Sequence, residues 1–275
     1  NRDGMPPALD RACGFPVMRA DNIADSVRAM TAQFRPDVAV IAEVGPWVTR
    51  LFPIIGDLPL VAYEHEVAWT AVEAPLELRL SAVYVANSKA TAAHLKNLCS
   101  VSAAIVRPLF GVERYAGIEP HGDSVLFVSL QHRKGADIAI KLAESRPAIP
   151  FIFVESWTQI PDETAQLREH VRTLPNVTLV PNQPNLDSIL PHIKLHLMPS
   201  RSQEAWGRTA TEAQICGIPV LASSRGNLPT TIGPGGTTLD PDDPFEHWLD
   251  ALDRILGDAD VYDGLSQKAR AQGSR

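Results

Sequence analysis

The chain has 275 residues, 45% of them hydrophobic and 21% charged, with a formal net charge of −7. A single core rarely grows past about 250–300 residues, so one large domain or two modest ones fit. The acidic balance argues against nonspecific DNA or RNA binding, which needs clustered basic residues to neutralise phosphates.

Short apolar runs alternate with longer amphipathic stretches. A helix is predicted from about Ile23 to Phe34, capped by Asp21 or Asn22, and Val38–Ala42 follows as a strand. Leu60–Tyr63 and Ala82–Ala86 are further strands, Ser88 caps a helix from Lys89 to Leu98, and Ala104–Val106 is a short strand. Residues 112–123 are polar, contain Gly and Pro, lack periodicity and read as a linker. The alternation then restarts. Strands are predicted at Ser124–Val128, Phe151–Val154, Val177–Val180, Leu195–Met198 and Pro219–Ala222. Helices are predicted at Gly135–Ser145, Pro161–Thr173, Leu186–Ile189, Arg208–Cys216 and Phe245–Leu256. Strands without polar alternation, separated by helices, imply parallel sheets buried on both faces. The expected organisation is an N-terminal Rossmann-like domain over residues 1–111, the linker, a second such domain over residues 124–262, and a helical tail over residues 263–275. The first series has about four strands, with none before residue 35 unless Pro16–Met18 is one, so the first domain is expected to be incomplete.

The three cysteines, Cys13, Cys99 and Cys216, are far apart and form no Cys-x-x-Cys, which reads as buried small hydrophobes in a reducing compartment. Residues 1–20 lack the apolar run of a secretory leader, so a cytoplasmic location is expected. No run of about 18 apolar residues predicts a membrane span, while a peripheral membrane contact fits. No phosphate-binding GxxxxGK[ST], no HExxH or His/Cys cluster and no GxSxG is present, so no metal and no cofactor are expected.

The most informative segment runs from Pro199 to Leu221. A strand ends at Pro199, a loop with Gly207 follows, and a helix begins near Arg208. That places a helix N-terminus, with free N–H groups and a positive dipole end, at the carboxyl edge of a parallel sheet. Glu204 and Glu212 are separated by seven residues. Carboxylates accept well from sugar hydroxyls, and two at this spacing can grip two different sugars. Ordinary helix-start glutamates favoured by the dipole are the plain alternative.

The whole segment resembles the Glu-x7-Glu signature of family 4-like retaining glycosyltransferases of the GT-B fold. The resemblance rests on Glu204-Ala-Trp-Gly-Arg, Glu212-Ala, Gly217-Ile-Pro-Val, Ser223-Ser-Arg-Gly-Asn-Leu-Pro, Gly235-Gly236 and Leu239-Asp-Pro. It implies an α/β chain with two Rossmann-like domains facing a cleft, the first holding the acceptor and the second the nucleotide-diphosphate sugar. It implies a metal-independent, retaining hexosyl or related transferase. By the same resemblance Glu204 sits near the donor sugar, Glu212 accepts from the ribose, and the backbone of Ala205, Trp206 and Gly207 touches the sugar beside Arg208.

Val125–Asp137 is similar to the family's strand and Lys-Gly helix start, which gives Lys134 the donor diphosphate. The family's Gly-Arg in that loop is absent. Ser129 stands about where the arginine belongs, and His132 or Arg133 is expected to compensate. The backbone of Val180, Pro181 and Asn182 is implied to read the base. In the first domain the resemblance gives His65 a role at the donor sugar and acceptor, and places Asn87 and Ser88 at the cleft edge. A plain N-cap is the other reading of Ser88. Further departures are Thr230 where the family has a glutamate, no glycine-rich turn after the first strand, and a last helix cut short at Arg275. The resemblance is clear over residues 124–262, weak over 35–112 and absent before. Base, sugar, acceptor and oligomeric state stay open. An epimerase of the same fold and a non-catalytic nucleotide-sugar or glycan-binding module are the competing readings.

Overall fold

The computed structural model describes residues 8–10, 17–19, 22–42, 51–67, 82–155 and 161–275. The chain divides into two units, Asn1–Arg107 and Pro108–Arg275. In the first, strands β1 (Ala8–Asp10) and β2 (Val17–Arg19) form an antiparallel hairpin. The helix α1 (Ile23–Phe34) follows, with Asn22 as its cap accepting from Asp25 N. Strand β3 (Ala39–Ala42), the single turn α2 (Phe52–Ile55), β4 (Leu60–Glu64), β5 (Ala82–Ala86), α3 (Lys89–Cys99) and β6 (Ala103–Ile105) complete it. Its sheet is parallel in the order β3-β4-β5-β6.

The second unit opens with the helix α4 (Val112–Ala116) and β7 (Ser124–Val128). Next come α5 (Ala136–Ser145), β8 (Phe151–Val154), α6 (Pro161–Arg172), β9 (Val177–Val180) and β10 (Ile193–Met198). The chain continues through α7 (Arg208–Ile215), β11 (Val220–Ser223), α8 (Leu228–Ile232), β12 (Gly236–Leu239), α9 (Phe245–Gly257) and α10 (Ala259–Gly273). The six strands are parallel in the order β12-β11-β10-β7-β8-β9. The chain therefore winds outward from β7 in one direction and from β10 in the other. The crevice outside the carboxyl ends of β7 and β10 is the topological switch point, where open α/β sheets hold ligands.

The α/β class with parallel sheets in both units is as expected. Several local features differ. Residues 112–123, expected as a linker, include α4, and Tyr115 of α4 is buried with Leu126, Ile189, Ala213 and Ile218. One and a half turns bounded by Gly111 and Gly117 are too short to show a helical period. Leu186–Ile189 is no helix; a 3₁₀ turn at Leu190–His192 takes its place, with Pro191 in its first turn. The tail expected at residues 263–275 lies in the fifteen-residue α10 as far as Gly273, and Ala269 and Gly273 are buried. The backbone of Gly273 lies against α7 at Gln214 and Ile215. Cys216 is buried in the second unit, as expected of a small hydrophobe, and burial pushes its thiol up to about 11. Cys13 lies outside the described residues. Among the described residues no helix is long and apolar enough to cross a membrane.

Candidate functional site

A cavity of about 580 Å³ lies at the switch point, a size ordinary for a nucleotide-scale ligand. Phe127 and Val128 of β7, Val154 beside Glu155 at the end of β8, and His196 and Met198 of β10 line it from the sheet. Gly207, Arg208, Thr209 and Glu212 line it from the start of α7. Lys134 and Glu204 enter from the loops, and Arg114 and Tyr115 from α4.

Two glycines shape the backbone here. Gly135 has φ +81 and caps α5; a Cβ there would fall 2.0 Å from the Pro199 carbonyl oxygen. Gly207 has φ +90 and precedes α7; a Cβ would meet Leu228 Cδ2 at 2.7 Å. Both positions need the left-handed region and a close approach at once, which glycine alone supplies cheaply.

The Lys134 ammonium donates to Glu204 Oε1 at 2.5 Å, and Ser200 Oγ donates to the same oxygen at 2.7 Å. Glu204 is thus an ion-paired, hydrogen-bonded carboxylate at the pocket wall. Its backbone is pinned as well: Asn227 N donates to Glu204 O at 2.8 Å. The loop is tied down further by Arg201, which donates to Asp137 on α5 at 2.5 Å and to Asp242 at 3.0 Å.

Glu212 is half-buried, and burial pushes its carboxyl above the ordinary range. The charge of Arg208 and the hydroxyl of Tyr115 oppose that rise. Tyr115 is itself pushed up, by burial first and then by the Glu212 charge. Arg208 lies over the Phe110 ring at 4.8 Å. Arg114 donates to Asp187 at 2.6 Å. Glu155 is held by both arms of Arg168.

Of the residues expected at a donor site, Glu204, Glu212, Gly207, Arg208, Lys134, Ser129 and Asn182 come together around the cavity. Ser129 adopts φ +71 and donates its N–H to Val154 O at 2.9 Å. Five others are not among the lining residues. The exposed Arg133 turns its guanidinium to Gln131 at 2.7 Å, while its carbonyl accepts from Arg201 N and Ser202 N. Trp206 donates from its indole to Thr211 Oγ1 at 3.0 Å, and its carbonyl accepts from Thr231 at 2.6 Å. Ala205, Val180 and Pro181 stand back from the cavity.

His65, Asn87 and Ser88 belong to the first unit. The His65 carbonyl accepts from Asn87 Nδ2 at 3.1 Å, and its ring stacks on Tyr63. Ser88 is the cap of α3, accepting from Thr91 N at 3.1 Å. Sequence reasoning missed Arg114, Tyr115, Glu155, His196 and Thr209. All but Thr209 lie outside the Glu204–Glu212 stretch, and only the fold brings them to it.

A doubly wound parallel sheet with a polar cavity at its switch point, walled by a helix N-terminus, a lysine and three glutamates, defines a Rossmann-like unit. Residues 119–272 match the family described as glycosyl transferases group 1, and the chain belongs to that family. It is similar to the D-inositol 3-phosphate glycosyltransferase of Mycolicibacterium paratuberculosis, 35% identical over 148 residues, 51% of this chain and 33% of that protein. The protein of the same name from Jonesia denitrificans is 30% identical over 191 residues, 61% of this chain and 44% of that one. The matches therefore span less than half the length of these relatives. Among solved structures, the fold is shared with a glycosyltransferase from Rickettsia africae ESF-5 (TM-score 0.74, 16% identity, 93% of this chain and 78% of that chain). It is shared equally with Anabaena Alr3699/HepE in complex with UDP and glucose (TM-score 0.75, 19% identity, 90% and 76%).

Proposed function

We propose that the chain is a glycosyltransferase that moves a hexosyl or related sugar from a nucleoside-diphosphate sugar, with the second unit holding the donor. The observation that carries this reading is the convergence of Glu204, Glu212, Lys134 and the α7 N-terminus on one cavity at the switch point. Family membership supports it, as does the UDP-glucose bound to a protein of the same fold. In this reading Glu212 accepts from the ribose hydroxyls and Glu204 faces the transferred sugar. Lys134 and the free N–H groups at the start of α7 take the diphosphate. The charge that develops on the leaving diphosphate is met by fixed donors, so catalysis is electrostatic and positional and needs no metal. The sugar is transferred with retention, by front-face attack of the acceptor, and His65 polarises the acceptor or contacts the donor. Asn87 and Ser88 lie on the acceptor side. The acceptor is a glycan, lipid or small molecule.

The test is turnover on a panel of UDP-, GDP-, dTDP- and ADP-sugars, followed by release of the nucleoside diphosphate and by the anomeric configuration of the product. Transfer with retention is expected, and Lys134→Ala should lower kcat/KM about a hundredfold, as loss of one fixed charge-stabilising donor does. Sugar inversion without nucleotide release, or binding without turnover, would overturn the reading.

A further inference from the structure

His196 sits near the middle of β10, in register with Leu126 on β7 and Val220 on β11. The residue is 1% exposed, yet it reaches the floor of the cavity. Its Nδ1 lies 3.2 Å from the Leu126 carbonyl oxygen, and its Nε2 lies 3.0 Å from Thr209 Oγ1. A carbonyl can only accept, so Nδ1 carries the proton. A neutral imidazole has one N–H, so Nε2 accepts. The ring is neutral because burial drives its pKa down to about 4. The single proton of the Thr209 hydroxyl is therefore committed to Nε2. Toward the cavity, which Thr209 also lines, its oxygen presents lone pairs only. Thr209 and Glu212 are three residues apart on α7 and so share a helix face. Together they form an acceptor-only strip along one wall. Such a strip attracts hydroxyl groups and repels phosphate oxygens.

We propose that His196 is a positioning residue that fixes Thr209 as a hydrogen-bond acceptor, making Thr209 a specificity-determining contact for a hydroxyl of the bound nucleotide sugar. The proposal rests on the donor-site reading above and adds to it the group recognised and its polarity. The hydroxyl belongs either to the ribose or to the transferred sugar. The diphosphate is left to Lys134 and to the first N–H groups of α7, which have no intrahelical partners.

Calorimetric titration of wild type, Thr209→Val, Thr209→Ser and His196→Phe with pyrophosphate, UDP, GDP, UDP-glucose and GDP-glucose tests it. Thr209→Val should weaken the nucleotide ligand about three- to tenfold, the worth of one neutral hydrogen bond. Thr209→Ser, which keeps the hydroxyl, should restore wild-type affinity, and pyrophosphate should bind Thr209→Val as it binds wild type. His196→Phe frees the hydroxyl proton, so pyrophosphate binding should hold or tighten while nucleotide binding falls; a merely structural histidine would weaken both. Equal loss for the diphosphate and its glucose adduct assigns the ribose, and loss confined to the adduct assigns the sugar. A matching loss with pyrophosphate, or no loss with any ligand, overturns the proposal while leaving the donor site intact. If wild type binds none of the nucleotides, the donor-site reading itself fails. Should His196→Phe fail to fold, the valine and serine variants of Thr209 still decide the outcome.

Discussion

The two units bury their sheets differently. In the second, β7 and β11 are buried almost throughout, and Val125, Phe127, Phe151, Phe153, Leu195 and Leu197 belong to one cluster with α5 and α9. In the first, the row Ile41, Ala62 and Tyr84 is buried across β3, β4 and β5. Val40 and Val83 stand in register with Val61 on the other face, and are 64% and 63% exposed. Strands buried on both faces are fixed from two directions, while described strands buried on a single face are specified by fewer contacts. The difference teaches where precision is concentrated. The unit with the switch-point cavity is the two-sided one, and the loops lining that cavity spring from strands with little room to move.

The largest expected effect tests that contrast directly. Phe153 is fully buried, with the Phe127 and Phe151 rings edge-on at 5.2 and 6.0 Å. Phe153→Ala should cost about 3–5 kcal/mol in urea unfolding, whereas Val40→Thr on the exposed face should stay within about 0.5 kcal/mol. Comparable losses would erase the distinction between the units.

Next in size is Glu212→Gln. The carboxyl of Glu212 is raised by burial, so the folded protein holds its proton more tightly than the unfolded chain does. The resulting penalty is absent below the unfolded pKa and fully present above the folded one. Glu212→Gln should therefore leave thermal stability unchanged or raised at neutral pH, with the advantage vanishing in acid. The same change should weaken UDP or GDP binding about tenfold or more, as expected for hydrogen bonds to a charged acceptor. Binding by wild type should fall as pH drops through the raised Glu212 pKa. Unchanged affinity on calorimetry would remove Glu212 from the ligand.

The smallest effect concerns the other unit. Ser88→Ala should cost about 1 kcal/mol through loss of the α3 cap, and leave nucleotide affinity untouched. A loss of sugar transfer with no change in melting temperature would support the proposed acceptor-side role.

What was legible in the sequence follows the same physical divide. Strands buried on both faces, such as Phe151–Val154, are unbroken apolar runs and are read directly. Glu204 and Glu212 are legible because a strand end, a glycine and a helix start sit within one short stretch. Tyr115 and Arg114 were hidden because a five-residue helix carries no period, and the flanking glycines imitate a linker. β12 escaped because Gly236-Thr-Thr-Leu239 has little apolar content, although it completes the sheet beside β11. The His196–Thr209 tie was invisible because it joins a strand to a helix across thirteen positions, a relation that no local spacing encodes. Arg133 shows the reverse: the sequence offers a cation at the right place in the loop, and the turn at His132–Lys134 leads its side chain to Gln131.

One contact carries a consequence for how the cavity fills. Lys134 is paired with an anion of its own chain, the Glu204 carboxylate, and Ser200 donates to the same oxygen. An incoming anionic group does not meet a bare cation; it has to displace a resident one. Small anions such as free phosphate, which bring one charge and no other grip, compete poorly against a tethered carboxylate at high local concentration. A larger ligand that binds elsewhere in the cavity can dislodge it. In the donor site as proposed, the tethered carboxylate therefore favours a ligand with more than one point of attachment over a lone small anion.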